Sequence, residues 1–213
     1  MIEFEHISKI YQDTDTTVFR DFSAKVDRGE FVVLTGESGS GKTTLLRMLL
    51  RETDPDSGKI TVNGQDILRI RKARIPIYRR NFGCVFQDFR LVKDISILDN
   101  IKLAMRAADK PMVDYSTKIW NVAKLLKITD ILKMKPGEVS GGEQQKACIA
   151  RAIINNPLIL MADEPTSNLD PVYSKEIMSL FETISNMGTT LVVATQDPII
   201  AESGSVRNIR VRR

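Results

Sequence analysis

Apolar and polar positions alternate from residue 1 to residue 27, on either side of the polar stretch Gln12-Asp13-Thr14-Asp15-Thr16-Thr17. A period of two belongs to a strand that buries one face, so the pattern predicts two strands joined by a loop, as a hairpin or at a sheet edge. The pattern then changes. Phe31-Val32-Val33-Leu34 is continuously apolar and largely β-branched, and it gives way to Gly36-Glu37-Ser38-Gly39-Ser40-Gly41 and a helical pattern from Lys42 to Arg51. A short apolar run of this kind fits a strand buried on both faces. Leu158 to Ala162 and Leu191 to Ala194 are similar runs, each with a helical pattern just before it. Helices alternating with buried strands predict an α/β fold around a mainly parallel sheet, and a last strand is expected near Ser205 to Arg212.

Between these halves, in roughly residues 89 to 139, strand signals vanish and Ile119, Val122 and Leu126 recur at helical spacing before Pro136-Gly137. This segment reads as a helical subdomain. No internal repeat, low-complexity tract or Gly/Ser linker divides the chain, so residues 1 to 213 are expected to form a single domain: the core lies in about 1 to 88 and 140 to 213, with the helical part inserted between.

Composition removes several alternatives. At 213 residues with 42% hydrophobic and 27% charged positions, the chain is long enough to bury about 70% of its unfolded surface. Disordered, collagen-like and disulfide-scaffold readings fall away. The apolar runs are far short of the roughly 20 residues that span a bilayer. The acidic, alternating start Met1-Ile2-Glu3-Phe4-Glu5 is unlike a secretory signal, so a cytoplasmic location is expected. Cys84 and Cys148 lack metal-ligand spacing and read as reduced core residues, and His6, the single histidine, excludes a multi-His metal site. A net charge of +4 permits an anionic partner without requiring nucleic acid.

Three segments carry chemistry. Gly36-Glu37-Ser38-Gly39-Ser40-Gly41-Lys42-Thr43, followed by Thr44, fits G-x-x-x-x-G-K-[ST] between a predicted strand and a predicted helix. In that setting backbone N–H groups turn around phosphate oxygens, the helix contributes its positive end, Lys42 reaches the terminal phosphates and Thr43 ligates magnesium. Asp163, at the end of an apolar run, is the expected magnesium-side carboxylate. Glu164 follows it as the candidate catalytic residue, a general base or water-orienting group. Ser140-Gly141-Gly142-Glu143-Gln144 opens a helical pattern. Its S-x-x-E spacing is a capping box, and its two glycines leave a helix N-terminus open to an anion, which predicts a second phosphate-binding surface.

These three segments, in this order, resemble the nucleotide-binding domain of ABC ATPases over nearly the whole chain. The stretches Val85-Phe86-Gln87-Asp88-Phe89-Arg90-Leu91 and Ala162-Asp163-Glu164-Pro165-Thr166-Ser167-Asn168-Leu169-Asp170, with the start Met1 to Lys9, most resemble the cell-division ATP-binding members. Lipoprotein-release and macrolide-export ATPases are close alternatives. The resemblance implies a P-loop NTPase fold with an antiparallel β subdomain and a helical subdomain. It implies ATP and Mg2+ as ligands, Tyr11 stacked on adenine, and Gln87 at the metal and the attacking water. It also implies Ser140 to Gln144 capping the γ-phosphate of the opposite subunit in an ATP-dependent homodimer, with Ser167 to Asp170 linking the two sites. The function so implied is an ATPase that drives a transmembrane partner in cell division from the inner membrane face, with no nucleic acid expected.

Some positions stay open. Asp170-Pro171 also reads as a helix N-cap and first turn, and an aromatic such as Tyr11 at a strand end is often packing alone. Where the family usually has a histidine against the γ-phosphate this chain has Gln196, which donates a hydrogen bond but neither titrates near neutrality nor carries charge. Slow turnover, or a binding switch with little hydrolysis, is the expectation. The basic run Arg69, Arg71, Lys72, Arg74, Arg79 and Arg80 reads either as a solvated face or as a contact with anionic lipid or with an acidic surface on the membrane partner.

Overall fold

The computed structural model describes residues 1–11, 16–108, 115–167, 169–201 and 206–212. Strands β1 (Ile2–Tyr11) and β2 (Thr16–Val26) form the expected antiparallel pair. With β4 (Ser57–Val62) and the two-residue β5 (Gln65–Asp66) they build a sheet in the order β2-β1-β4-β5. The polar stretch between the first strands is shorter than the sequence suggests, because Thr16 and Thr17 pair with Tyr11 and Ile10. Gln12 to Asp15 lie outside the described residues. His6 sits at an irregularity of β1 with φ 54°, exposed, its Nδ1 2.5 Å from Asp21 Oδ1.

A second sheet is parallel throughout its described pairs, in the order β6 (Phe82–Val85), β7 (Ile159–Asp163), β8 (Thr190–Ala194), β3 (Phe31–Thr35), β9 (Arg207–Arg210). The last strand is shorter than the expected Ser205 to Arg212, of which Ser205 lies outside the described residues. Arg207 ties this edge strand down through Glu30, with its Nη2 at 3.1 Å from Glu30 Oε2.

Residues on β3 alternate between two cores, which is why the run is apolar throughout. Val32 and Leu34 face Leu45, Met48 and Leu49 of α1 (Lys42–Leu49), with Ile2 and Ile60 of the antiparallel sheet beyond. Phe31 and Val33 face the other side, where α5 (Gly141–Ile153) and α6 (Pro171–Asn186) pack. Helix α1 ends two residues before the predicted Arg51. Arg51 takes φ 55°, its N–H donates to Met48 O at 2.9 Å, and Glu52 N–H donates to Arg47 O at 2.9 Å, a Schellman-type stop built without glycine.

Among the described residues 89 to 139 contain no strand. Helix α2 (Ile75–Arg79) lies before β6, and α3 (Ile97–Ala107) and α4 (Tyr115–Leu125) follow it; residues 109–114 between the last two lie outside the described residues. Ile97, Ile101 and Met105 of α3 and Ile119 and Ala123 of α4 join the same buried cluster as Val85 and Cys148. Ser96 caps α3 by accepting from Asp99 N–H. A short α7 (Pro198–Ala201) follows β8. No described helix is long and apolar enough to cross a membrane. The carboxyl ends of β3, β7, β8 and β6 open on one edge of the parallel sheet, the place where α/β sheets gather their ligand sites.

Candidate functional site

The loop between β3 and α1 is fixed by its glycines and its lysine. Gly41 has φ 103°, and a Cβ there would lie 2.5 Å from both Phe19 Cζ and Val18 Cγ1, so the start of α1 fits under β2 only without a side chain. Lys42 is 6% exposed, and its ammonium donates to the carbonyls of Gly36 at 2.8 Å and Glu37 at 3.1 Å. This closes the loop around a cation that lies 4.0 Å from Glu164 Oε1.

Thr43 Oγ1 donates to Asp163 Oδ1 at 3.1 Å, joining the helix start to the end of β7. Burial pushes the Asp163 carboxyl above the ordinary aspartate range, the Thr43 hydroxyl draws it back, and the adjacent Glu164 carboxylate pushes it up again. Glu164 has φ 45°, a left-handed conformation rare for a residue with a side chain. Its N–H donates to Ala194 O at 2.8 Å, and its carbonyl accepts from Ser167 Oγ at 3.1 Å. Held in this way, its carboxylate receives Gln196 N–H at 3.1 Å on Oε2 and Gln196 Nε2 at 3.3 Å on Oε1.

Lys42, Thr43, Glu164 and Gln196 line a cleft of about 730 Å³. Tyr11, Thr16 and Val18 from the antiparallel sheet, Ser38, Gly39 and Gly41 to Thr44 from the β3–α1 loop, and Gln87, Glu164 and Gln196 from beyond β6, β7 and β8 all contribute to its lining. The Tyr11 hydroxyl lies 3.4 Å from Thr44 Oγ1. Sequence reasoning missed Thr166 and Asp197, which also line the cleft: Thr166 is buried, and its Oγ1 donates to Asp197 Oδ2 at 2.6 Å. Each neighbours a residue that the sequence singles out, but the bond joins the ends of two strands 31 positions apart, and no local pattern signals it.

Other predicted residues lie elsewhere. Gly36, Glu37 and Ser40 face a separate hollow beside Arg210 and Arg212, and Asp163 faces a small cavity with Arg47, Phe86 and Arg90. Ser140 to Gln144 do not line the cleft. Ser140 caps α5, with Glu143 N–H donating to Ser140 Oγ at 3.3 Å and Ser140 N–H to Glu143 Oε2 at 2.8 Å. These bonds to Ser140 hold the Glu143 carboxyl below its usual range. Gly142 has a packing role beyond any anion: a Cβ there would lie 2.5 Å from Tyr173 Cδ1 of α6. Gly141 has open space. Asp170 caps α6 by accepting from Val172 N–H at 2.9 Å and Tyr173 N–H at 3.1 Å. Asn168 lies outside the described residues.

The basic run divides. Arg71, Lys72, Arg74, Arg79 and Arg80 are all exposed, but the Arg79 guanidinium is tied to the end of α1, its Nε donating to Leu50 O at 2.7 Å and its Nη2 to Arg51 O at 3.2 Å. Cys84 and Cys148 are free thiols, and burial pushes each up to about 12. Among the described residues no cluster of three or more His, Cys, Asp or Glu offers a metal site.

Comparison with known proteins identifies the family. The family model described as "ABC transporter" matches residues 19–167. The cell division ATP-binding protein FtsE of Mycobacterium tuberculosis is 41% identical over 203 residues, covering 95% of this chain and 88% of that protein. The FtsE protein of Bacillus subtilis is 37% identical over 211 residues, covering 99% and 92%. Among solved structures, the dimeric post-hydrolysis state of the ATP-binding cassette MJ0796 bound to ADP and Pi superposes with a TM-score of 0.88 at 29% identity, covering 100% of this chain and 94% of that one.

Proposed function

The chain belongs to the ABC transporter family, and from that premise we propose that it is the ATP-binding and ATP-hydrolysing subunit of a cell-division membrane complex of the FtsEX kind. One observation carries the reading: Lys42 and Thr43 from the β3–α1 loop, Glu164 and Gln196 from the ends of β7 and β8, and Gln87 after β6 all meet at a single cleft. The relatives reported above carry the cell-division name, so the reading follows them and not the lipoprotein-release or macrolide-export ATPases.

Each residue has a role in that reading. Tyr11 stacks on the adenine, the amides of Ser38 to Thr44 surround the phosphates and Lys42 draws their terminal charge. Thr43 Oγ1 and Asp163 Oδ1, 3.1 Å apart, are hard oxygen donors and fit Mg2+, with Gln87 adding a neutral oxygen across the cleft. Mg2+ supplies charge neutralisation on the phosphate oxygens when bound. Glu164 orients the attacking water and accepts its proton.

The segment Ser140 to Gln144 caps the nucleotide of a second copy, which explains its place outside the chain's own cleft. ATP closes that homodimer because it adds contacts only in the closed state. A transmembrane partner resembling FtsX docks in the groove bordered by Arg80, Phe82, Phe86 and Ala104 and holds the subunit at the inner membrane face. A slower, switch-like cycle is favoured by one further observation, the grip of Gln196 on Glu164.

Phosphate release and an ATP-binding titration on the purified chain and its Lys42→Ala variant test the reading. Magnesium-dependent release by the parent alone is expected. Failure of the parent to bind ATP overturns it.

A further inference from the structure

Two successive left-handed residues, Phe89 at φ 58° and Arg90 at φ 50°, end the short loop that carries Gln87. Neither is glycine, and such a pair persists only where its surroundings hold it. The surroundings here are one helix. Arg151, in the last turn of α5, donates from Nη2 to Phe89 O at 2.8 Å and from Nη1 to Arg90 O. Cys148, one turn earlier, donates from Sγ to Phe89 O at 3.0 Å.

Within the loop the Arg90 guanidinium lies 3.7 Å from the Phe86 ring centroid, and its Nε donates to Asp88 Oδ1 at 3.1 Å. Residues 86 to 90 are therefore a small unit tied to itself and fastened to α5. The helix is in turn set close against β6: a Cβ at Gly83 would lie 2.5 Å from Ala152 O. At its other end α5 begins with Ser140, about 16 Å away at the helical rise of about 1.5 Å per residue.

We propose that Arg151 is a positioning residue, which holds the loop of residues 86 to 90 in the conformation that presents Gln87 to the cleft. The Ser140 segment and Gln87 then move as one body. A guanidinium suits the task, because its planar fork presents two N–H groups in a fixed geometry to two successive carbonyls, whereas an ammonium is a point charge on a flexible stem. The consequence for turnover rests on the ATPase reading above; the anchoring of the loop does not.

The test uses the full chain with Arg151→Ala, Arg151→Lys and Cys148→Ala. Amide hydrogen exchange is followed over residues 86 to 90, and phosphate release is followed against ATP and against Mg2+. In Arg151→Ala, exchange at Phe89 and Arg90 rises and kcat falls about tenfold or more, as a misplaced catalytic group does. The Mg2+ concentration for half-maximal rate rises, while ATP affinity without metal stays within about twofold, because the β3–α1 loop is untouched. Arg151→Lys falls between, and Cys148→Ala shows the smaller loss of one weak donor. Should the alanine variant not fold, the lysine variant carries the same readouts.

Unchanged exchange in either folded Arg151 variant overturns the anchoring. Faster exchange with kcat and Mg2+ requirement unchanged overturns the positioning role and leaves the ATPase reading standing. A parent chain that binds no ATP overturns the ATPase reading instead, and the exchange data still decide the anchoring.

Discussion

Gln196 holds both oxygens of Glu164, its backbone N–H donating to Oε2 at 3.1 Å and its side-chain amide to Oε1 at 3.3 Å. With both oxygens already accepting from Gln196, a water can engage this carboxylate only by sharing or displacing one of those donors. Replacing Gln196 by histidine removes the amide donor to Glu164 while keeping the backbone bond, and offers a titratable donor to phosphate. Gln196→His is expected to raise kcat about tenfold, since one charge-assisted hydrogen bond is worth roughly 1.5–3 kcal/mol, with ATP affinity unchanged. Phosphate release at saturating ATP measures it. Equal rates in parent and variant remove Gln196 as the brake.

Glu164 itself is testable apart from Gln196. Glu164→Gln keeps the size and loses the proton acceptor, so turnover is expected to drop roughly 100-fold or more. Binding through the β3–α1 loop persists, and an ATP-dependent dimer should accumulate on gel filtration. Loss of ATP binding in this variant, with turnover and binding falling together, would instead assign Glu164 to holding the loop through Lys42.

How much of this was legible beforehand depends on where each constraint resides. The strands β3, β7 and β8 are readable because burial on both faces leaves a continuous apolar run, and the β3–α1 loop is readable because phosphate cradling needs its glycines and lysine in sequence. The Thr166 to Asp197 bond, the seat of Val18 and Phe19 against Gly41, and the bonds of Arg79 to the Leu50 and Arg51 carbonyls are not. Each joins residues far apart in the chain, and a single sequence carries no mark of such pairings. Gly142 carries a second constraint of the same long-range kind. Its place at a helix start suggests an anion site, and the ring of Tyr173, 31 positions on, also leaves no room for a side chain there.

The two roles of Gly142 separate in a double-mutant cycle. Gly142→Ala places a methyl into the Tyr173 ring and is expected to cost about 1–3 kcal/mol by overpacking. Tyr173→Ala in the same chain opens the space and should restore most of the melting temperature. If turnover recovers with it, Gly142 serves packing alone; if stability returns and turnover does not, the bare helix start also meets phosphate.

Arg79 should be tested for stability before it is tested for partner binding. Arg79→Ala leaves the Leu50 and Arg51 carbonyls without their donors, at an expected cost of about 1–3 kcal/mol, seen as a lower melting temperature. Charge reversal at Arg71, Lys72 and Arg74, whose side chains are exposed, should leave melting unchanged and weaken association with anionic vesicles or the membrane partner. Vesicle binding unaffected by all three reversals returns this face to the solvated reading.

Acid titration reports on the edge strand. The hydrogen bond from Arg207, with the Asp27 backbone N–H, holds the Glu30 carboxyl below its ordinary value of 4.5 although partial burial opposes this. A carboxyl depressed in the folded state contributes stability above its unfolded pKa and loses it as pH falls through the folded one. The Glu30–Arg207 contribution is therefore complete at neutral pH, starts to fade as pH drops below about 4.5, and is gone below the depressed value. Because Arg207 is about half exposed, solvent limits the pair to about 1 kcal/mol. Glu30→Gln should lower the melting temperature near pH 7 by a few degrees at most, about 2–4 °C per kcal/mol for a chain of this size. The parent and variant curves should converge under acid. Curves that stay parallel down to the acid limit would show that Arg207 holds β9 through its bond to the Lys25 carbonyl, 2.5 Å from Nη2, and not through the charge of Glu30.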